Sequence, residues 1–112
     1  MQRLDARTRA SELERNKQNA VLAASFLKAL AHEKRLMILC ILAEEEKSVG
    51  ELERLLDLRQ PTVSQLLARL RKDGLVATRR DGKAVHYRLA SEQARAIVGV
   101  VYDVFCRKGH KR

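Results

Sequence analysis

Leu58-Arg59-Gln60-Pro61-Thr62-Val63-Ser64-Gln65-Leu66-Leu67-Ala68-Arg69-Leu70-Arg71-Lys72-Asp73-Gly74 decides how the rest of the 112-residue chain is read. Pro61 suits a first helical position, where its missing N–H is an orphan donor in any case. Val63, Leu66, Leu67 and Leu70 recur at i, i+3, i+4 and i+7, the apolar stripe of an amphipathic helix. Gly74 follows as the stop. With that stripe buried, Thr62, Gln65, Arg69 and Lys72 form one outward line, with Ser64, Ala68 and Arg71 beside it. No acidic residue interrupts Arg59 to Lys72, whereas an ordinary solvated face mixes Glu or Asp among its cations. Short hydrogen-bonding side chains at the helix start, with cations behind them, suit an end that enters a DNA major groove while the cations hold phosphates.

Composition sets the bounds around this helix. A chain of 112 residues is one small domain, and its core must be aliphatic because Phe26, Tyr87, Tyr102 and Phe105 are the only aromatics. Lys and Arg number 23 against 14 Asp and Glu, a net charge of +9, which favours a polyanionic partner, either nucleic acid or an acidic membrane surface. No apolar run reaches membrane-spanning length, and Met1-Gln2-Arg3-Leu4-Asp5 lacks the apolar stretch of a signal peptide. A cytoplasmic protein is expected, in which Cys40 and Cys106 stay reduced rather than forming a constitutive staple.

Residues 1–19 are densely charged, with Leu4 and Leu13 the only large aliphatics after Met1. They are expected to form a mobile arm or a helical extension, and the winged domain to occupy residues 20–108 with a basic tail at 109–112. Leu22, Ala23, Phe26, Leu27 and Leu30 make a helical stripe, and Ala31-His32-Glu33-Lys34 reads as a break and restart. Leu36 to Ala43 is apolar all round, which predicts a helix buried on every side, and Glu44-Glu45-Glu46-Lys47 ends it in solvent. Ser48 and Glu51 have capping-box spacing and start a short helix with Leu52, Leu55 and Leu56 as its inner face. Two short amphipathic helices joined by Asp57 to Gln60 have the spacing of a helix-turn-helix.

After Gly74 the period changes to two. Leu75–Arg80 and Lys83–Leu89 flank Asp81-Gly82, a two-residue hairpin signal of type I′, and pairing across it sets Val76 opposite Tyr87 and Thr78 opposite Val85. Arg79, Arg80 and Lys83 crowd the tip as candidates for phosphate or minor-groove contact. A helix-turn-helix followed by such a hairpin is a winged helix. Ser91 caps a last helix with the stripe Ala94, Ile97, Val98, Val101, Tyr102 and Phe105, while Val100 and Val104 add a second apolar flank. One stripe covers the domain's own core, and the extra flank calls for another partner, most simply a second copy of the chain. Two copies would present two reading helices to a palindromic site.

Three segments carry a family resemblance: Ala29-Leu30-Ala31-His32-Glu33-Lys34-Arg35-Leu36-Met37-Ile38-Leu39, Gln60-Pro61-Thr62-Val63-Ser64-Gln65-Leu66-Leu67 and Gly82-Lys83-Ala84-Val85-His86-Tyr87-Arg88-Leu89. Together they resemble the ArsR family of winged-helix repressors over residues 20 to 107. The resemblance implies a mainly α fold with a small β-hairpin: three helices, a reading helix, two strands and a last helix. It also implies a homodimer joined through the first and last helices, and operator binding that an inducer relieves. Many members sense metals through Cys-x-Cys on the third helix, a place held here by Ser48-Val49-Gly50, which has no thiolate. Asp103 and His110 lack the paired spacing of the family's zinc ligands on the last helix, so neither metal nor cofactor is expected.

One Cys on the second helix and one near the end of the last is similar to the sulfide-responsive subgroup typified by the BigR and SqrR repressors, as are Val49-Gly50-Glu51-Leu52-Glu53 and Val104-Phe105-Cys106. In that subgroup the two thiols react with persulfide or polysulfide, join through a sulfur bridge and release DNA upstream of sulfide-oxidation or detoxification genes. The residues themselves say less. Cys40 lies in the all-apolar helix, where a Cys is usually a small hydrophobe. Cys106 falls at a stripe edge, and Arg107 and Lys108 beside it favour thiolate. Whether Arg35 reaches Cys40 is left open by spacing. His32, His86 and His110 read as ordinary.

The expected function is therefore a DNA-binding repressor with a Cys40–Cys106 switch, Thr62, Ser64 and Gln65 on base edges, Gln60 near the phosphates at the helix start, Arg69 and Lys72 on backbone, and Arg79, Arg80 and Lys83 on phosphate or minor groove. Its expected partners are double-stranded operator DNA, a second copy of itself and a persulfide or polysulfide inducer, with no membrane. A peroxide-type repressor that forms a plain disulfide and a winged-helix interaction module that senses nothing are the alternatives. No nucleophile–base pair or Gly-rich phosphate loop points to an enzyme.

Overall fold

A computed structural model describes residues 6–106. From Ala6 the described part of the charged stretch continues without interruption into the apolar one as a single helix, α1, Ala6–Leu30. Ala29 and Leu30 at its end are buried, whereas Leu13, Val21, Leu22 and Leu27 are exposed. Helix α2, Glu33–Glu44, begins at His32, whose Nδ1 accepts from the Arg35 N–H at 3.4 Å. Its N-terminal turn is tied back to α1 by the Arg35 Nε–H, which donates to the Ala29 carbonyl at 3.0 Å. Arg35 therefore serves the α1–α2 corner.

The expectation that α2 is buried on every side is corrected at one position. Ile38, Leu39, Cys40 and Leu42 are buried and Leu36, Ile41 and Ala43 partly so, but Met37 is 47% exposed. The chain then forms a short strand, β1, Lys47–Ser48, that sequence periodicity had left as a solvent turn. Helix α3, Val49–Leu56, opens with the expected capping box: the Ser48 Oγ accepts from the Glu51 N–H at 3.2 Å and the Glu51 carboxylate accepts from the Ser48 N–H at 2.8 Å. Leu52 is its buried residue and Leu56 is partly buried, while Leu55, expected inside, is 57% exposed. On a helix of about two turns Leu52 and Leu56, four residues apart, share the inner side, and Leu55 falls to one flank of it. Asp57 leaves α3 at φ 55°, a left-handed position that Asp tolerates better than most residues.

Helix α4, Gln60–Lys72, buries Val63, Leu67 and Leu70. It ends in a Schellman motif: Gly74 takes φ 76°, its N–H donates to the Arg71 carbonyl at 3.0 Å, and the Leu75 N–H donates to the Leu70 carbonyl at 2.9 Å. Strands β2, Val76–Asp81, and β3, Ala84–Leu89, complete an antiparallel sheet in the order β1-β3-β2. The register differs from the expected one by two residues. Val76 pairs with Leu89, Thr78 with Tyr87 and Asp81 with Ala84, so the turn is Gly82-Lys83. Gly82 has φ 65° and Lys83 does not share a positive φ, the pattern of a II′ turn with Gly first. The I′ alternative would place both Asp81 and Gly82 at positive φ, where the observed turn needs it only at Gly82. A two-residue shift preserves which side chains share a face, and it joins Val76 to Leu89, both buried.

Ser91 caps α5, Glu92–Val101, by accepting from the Ala94 N–H at 3.0 Å, and a π-helical turn, Tyr102–Cys106, follows. Ala94 and Val98 of α5 are buried, with Tyr102 partly so, but Ile97 and Phe105 join Val100 and Val104 on the exposed side. The architecture is a winged helix-turn-helix with a three-stranded sheet. No buried polar or charged residue occurs in its described core, so shape and apolar area hold it together. Leu67→Ala, at a fully buried site, is expected to cost about 2–5 kcal/mol, and Leu55→Ala about 0.5 kcal/mol or less; urea unfolding of both variants measures the difference.

Candidate nucleic-acid interface and dithiol pair

The exposed face of α4 forms because its apolar stripe is pinned by Val63, Leu67 and Leu70. That leaves Gln60, Thr62, Gln65, Arg69 and Lys72 exposed along the outside and Ser64 half-buried beside them. Arg59 at the N-cap makes no side-chain capping bond. Pro61 has no N–H, so the Thr62 N–H that a Ser or Asp cap would have taken is left for solvent or an anion. Toward the other end, the Arg69 Nε–H donates to Asp73 at 3.1 Å, so this cation is partly neutralised by its own helix. Lys72 and Arg71 make no ion pair among the described residues.

In the wing, the expected cluster of three cations is divided. Arg79 and Arg80 alternate across the pleat of β2. Arg79 turns to the α2–β1 connection, where its guanidinium donates to Glu46 through Nε at 2.9 Å and Nη2 at 2.8 Å. The same contact holds the Glu46 carboxyl below the usual carboxylate range and raises Arg79. Arg79 is thereby a strut between wing and helix end, a partner that its sequence neighbourhood does not reveal. Arg80 and Lys83 are exposed and make no ion pair among the described residues. Lys47 binds Glu45, a contact that raises the lysine.

Cys40 and Cys106, far apart in sequence, meet between α2 and the π-helical turn. Both are free thiols, Cys40 buried at 8% exposure and Cys106 exposed. Burial pushes the Cys40 thiol up to about 11, helped by the charge and hydrogen bond of the adjacent Cys106. One turn away, the Tyr102 hydroxyl donates to a Glu44 carboxylate oxygen at 2.8 Å. Arg107 and Lys108, the expected neighbours of Cys106, and His110 lie outside the described residues, as does Leu4 of the arm. Among the described residues no group of three His, Cys, Asp or Glu side chains is arranged to hold a metal ion, and no helix is long and apolar enough to cross a membrane.

The two thiols are chemically unequal. Burial holds Cys40 protonated well above the ordinary thiol range, and the thiolate is the nucleophile. Limited iodoacetamide treatment of the reduced protein at pH 8 is expected to label Cys106 first, with Cys40 labelled only at much higher pH or on unfolding; peptide masses measure the order.

Residues 32–78, from the start of α2 into the wing, match the arsR family of bacterial regulatory proteins. The biofilm growth-associated repressor of Agrobacterium fabrum is 52% identical over 87 residues, 78% of this chain and 74% of its own. The transcriptional activator HlyU of Vibrio cholerae is 45% identical over 96 residues, 86% of each chain. The crystal structure of the transcriptional repressor BigR from Xylella fastidiosa superimposes with a TM-score of 0.81 at 42% identity, covering 88% of this chain and 98% of that one. With the helix-turn-helix, the wing and the basic reading face already in place, this chain belongs to the arsR family of bacterial regulatory proteins.

Proposed function

We propose that the chain is a dimeric transcriptional repressor that binds operator DNA through α4 and the wing and releases it when reactive sulfur bridges Cys40 and Cys106. The observation that carries the sensing part is the meeting of a buried and an exposed thiol at the junction of α2 and the last helix. The DNA-binding part is supported by the acid-free exposed face from Gln60 to Lys72 and by the uncapped start of α4. Dimerisation is supported by exposed Leu22, Leu27, Ile97, Val100, Val104 and Phe105 on α1 and the C-terminal helical segment. An apolar groove of about 540 Å³ runs between α1 and α5 beside them, and large exposed apolar patches mark association surfaces.

The chemistry follows from the inequality of the thiols. The exposed Cys106, as thiolate, attacks the terminal sulfur of a persulfide RS–SH; the RS–S bond breaks, RS⁻ leaves, and Cys106–S–SH forms. Cys40 then attacks the cysteinyl sulfur of Cys106–S–SH, and the bridge Cys40–S–S–Cys106 forms as H₂S departs. If each thiol has first taken a sulfur, a third persulfide serves as oxidant: Cys40–S–SH, Cys106–S–SH and RS–SH give Cys40–S₄–Cys106, RSH and H₂S. Either bridge sets a fixed spacing between α2 and the end of the last helix. Because that helix also carries the dimer face, its displacement alters the separation of the two reading helices. A difference in free energy between the two separations is all that release requires.

Reduced protein is to be bound to DNA it selects from a random library, treated with glutathione persulfide, digested and weighed. Joined Cys40 and Cys106 peptides, carrying extra sulfur or the plain bridge, together with lost binding are expected; full bridging with unchanged binding overturns the mechanism. Hydrogen peroxide in a parallel arm forms only the plain disulfide, and release in that arm alone favours a peroxide repressor. On the DNA side, Lys72→Ala and Arg80→Ala are each expected to weaken all sequences alike and to reduce the salt slope by about one phosphate contact. Gln65→Ala is expected instead to erase preference at one base position, by about 1–3 kcal/mol.

A further inference from the structure

Cys40 and Glu44 are four residues apart on α2, and Tyr102 and Cys106 are four apart on the C-terminal turn. Cys40 meets Cys106 and Glu44 meets Tyr102. The two helical segments therefore run antiparallel, and the hydrogen bond is the rung one turn from the thiol rung, about 6 Å along the axis. Tyr102 and Cys106 are the first and last residues of one π-helical turn, so both rungs are carried by a single hydrogen-bonded turn of the C-terminal segment. Tyr102 also packs its ring partly against the core, which leaves its hydroxyl at the rim where Glu44 ends α2.

We infer that Glu44 and Tyr102 are positioning residues for the dithiol: their hydrogen bond holds the π-helical turn in the register that sets Cys106 against Cys40. The inference rests on the reading of Cys40 and Cys106 as a reacting pair and adds what keeps them opposed. Neither residue touches the sulfur atoms. Their effect is on the effective concentration of one thiol at the other, the quantity that governs closure of an intramolecular bridge. A carboxylate acceptor and a phenol donor give a charge-assisted bond, stronger than a neutral one. Gln at residue 44 keeps an acceptor oxygen, and Phe at residue 102 keeps the ring while removing the donor.

The test equilibrates the full chain with mixtures of reduced and oxidised glutathione and scores the Cys40–Cys106 disulfide by mass. Two thiols are oxidised, one glutathione disulfide is reduced to two thiols, and no sulfane sulfur is involved. Tyr102→Phe and Glu44→Ala are each expected to lower the effective concentration of the thiols roughly three- to tenfold, the worth of one net hydrogen bond. Glu44→Gln is expected to retain most of the wild-type value. The double variant Glu44→Ala/Tyr102→Phe should lose no more than either single one, because both remove the same bond. Retained protection of Cys40 from iodoacetamide in Tyr102→Phe, with a lowered effective concentration, separates positioning from loosening of the core. Wild-type-like closure in Tyr102→Phe, or additive losses in the double variant, overturns the inference while leaving the reacting pair intact. Failure of the wild-type protein itself to close overturns the pair.

Discussion

Ile38, Leu39 and Leu42 are almost sealed from solvent on a helix that packs against α1, α4, α5 and β3, and the arrangement of the remaining elements follows from that burial. Each such side chain contributes roughly 1.5–3 kcal/mol when removed from water. No buried polar residue among those described diverts the packing toward a hydrogen-bond geometry. The helix-turn-helix and the sheet lie on one part of this core, and α1 and α5 on another. A close-packed interior yields little under strain, and in the proposed mechanism a bridge where α2 meets the last helix would act by moving whole elements.

The placement of charge has a similar logic. Cations that brace the fold are paired: Arg79 with Glu46 across the wing base, Arg69 with Asp73 at the end of α4. Lys72, Arg80 and Lys83 are exposed without an ion pair among the described residues. Of the pairs, Arg79–Glu46 joins the wing to the α2–β1 connection, whereas Arg69–Asp73 stays within the end of α4; the other group leaves positive charge that a polyanion can neutralise. Exposed pairs of this kind add little stability.

The thiols sit where the two halves of the molecule join. Cys40 is part of the buried surface of α2 and is held protonated by that burial, whereas Cys106 stands at the solvent edge of a π-helical turn. A bridge between them joins the core helix to the segment that carries the exposed apolar flank. The Glu44–Tyr102 hydrogen bond spans the same two segments one turn away, so the junction is defined by two rungs rather than one.

Features encoded by neighbours in the chain were legible from residue order. The stripe of α4, the Ser48–Glu51 box, the Ser91 cap, the stop at Gly74 and the presence of a wing all depend on contacts within a few residues, and each is found. The basic, acid-free face of α4 is equally visible as a pattern. Misread features were those in which several arrangements satisfy the same local pattern. The hairpin closes on Gly82-Lys83 with the positive φ at Gly82, although Asp81-Gly82 satisfies a tight turn equally well; Leu55 and Met37 lie on the sides of their helices turned from the core, and Arg79 finds Glu46 in the α2–β1 connection. Residue order brought Cys40 and Cys106 to notice as candidates. Their apposition arises only when α2 and the last helix pack antiparallel, because a contact between distant residues depends on the crossing of two elements and not on the sequence of either one.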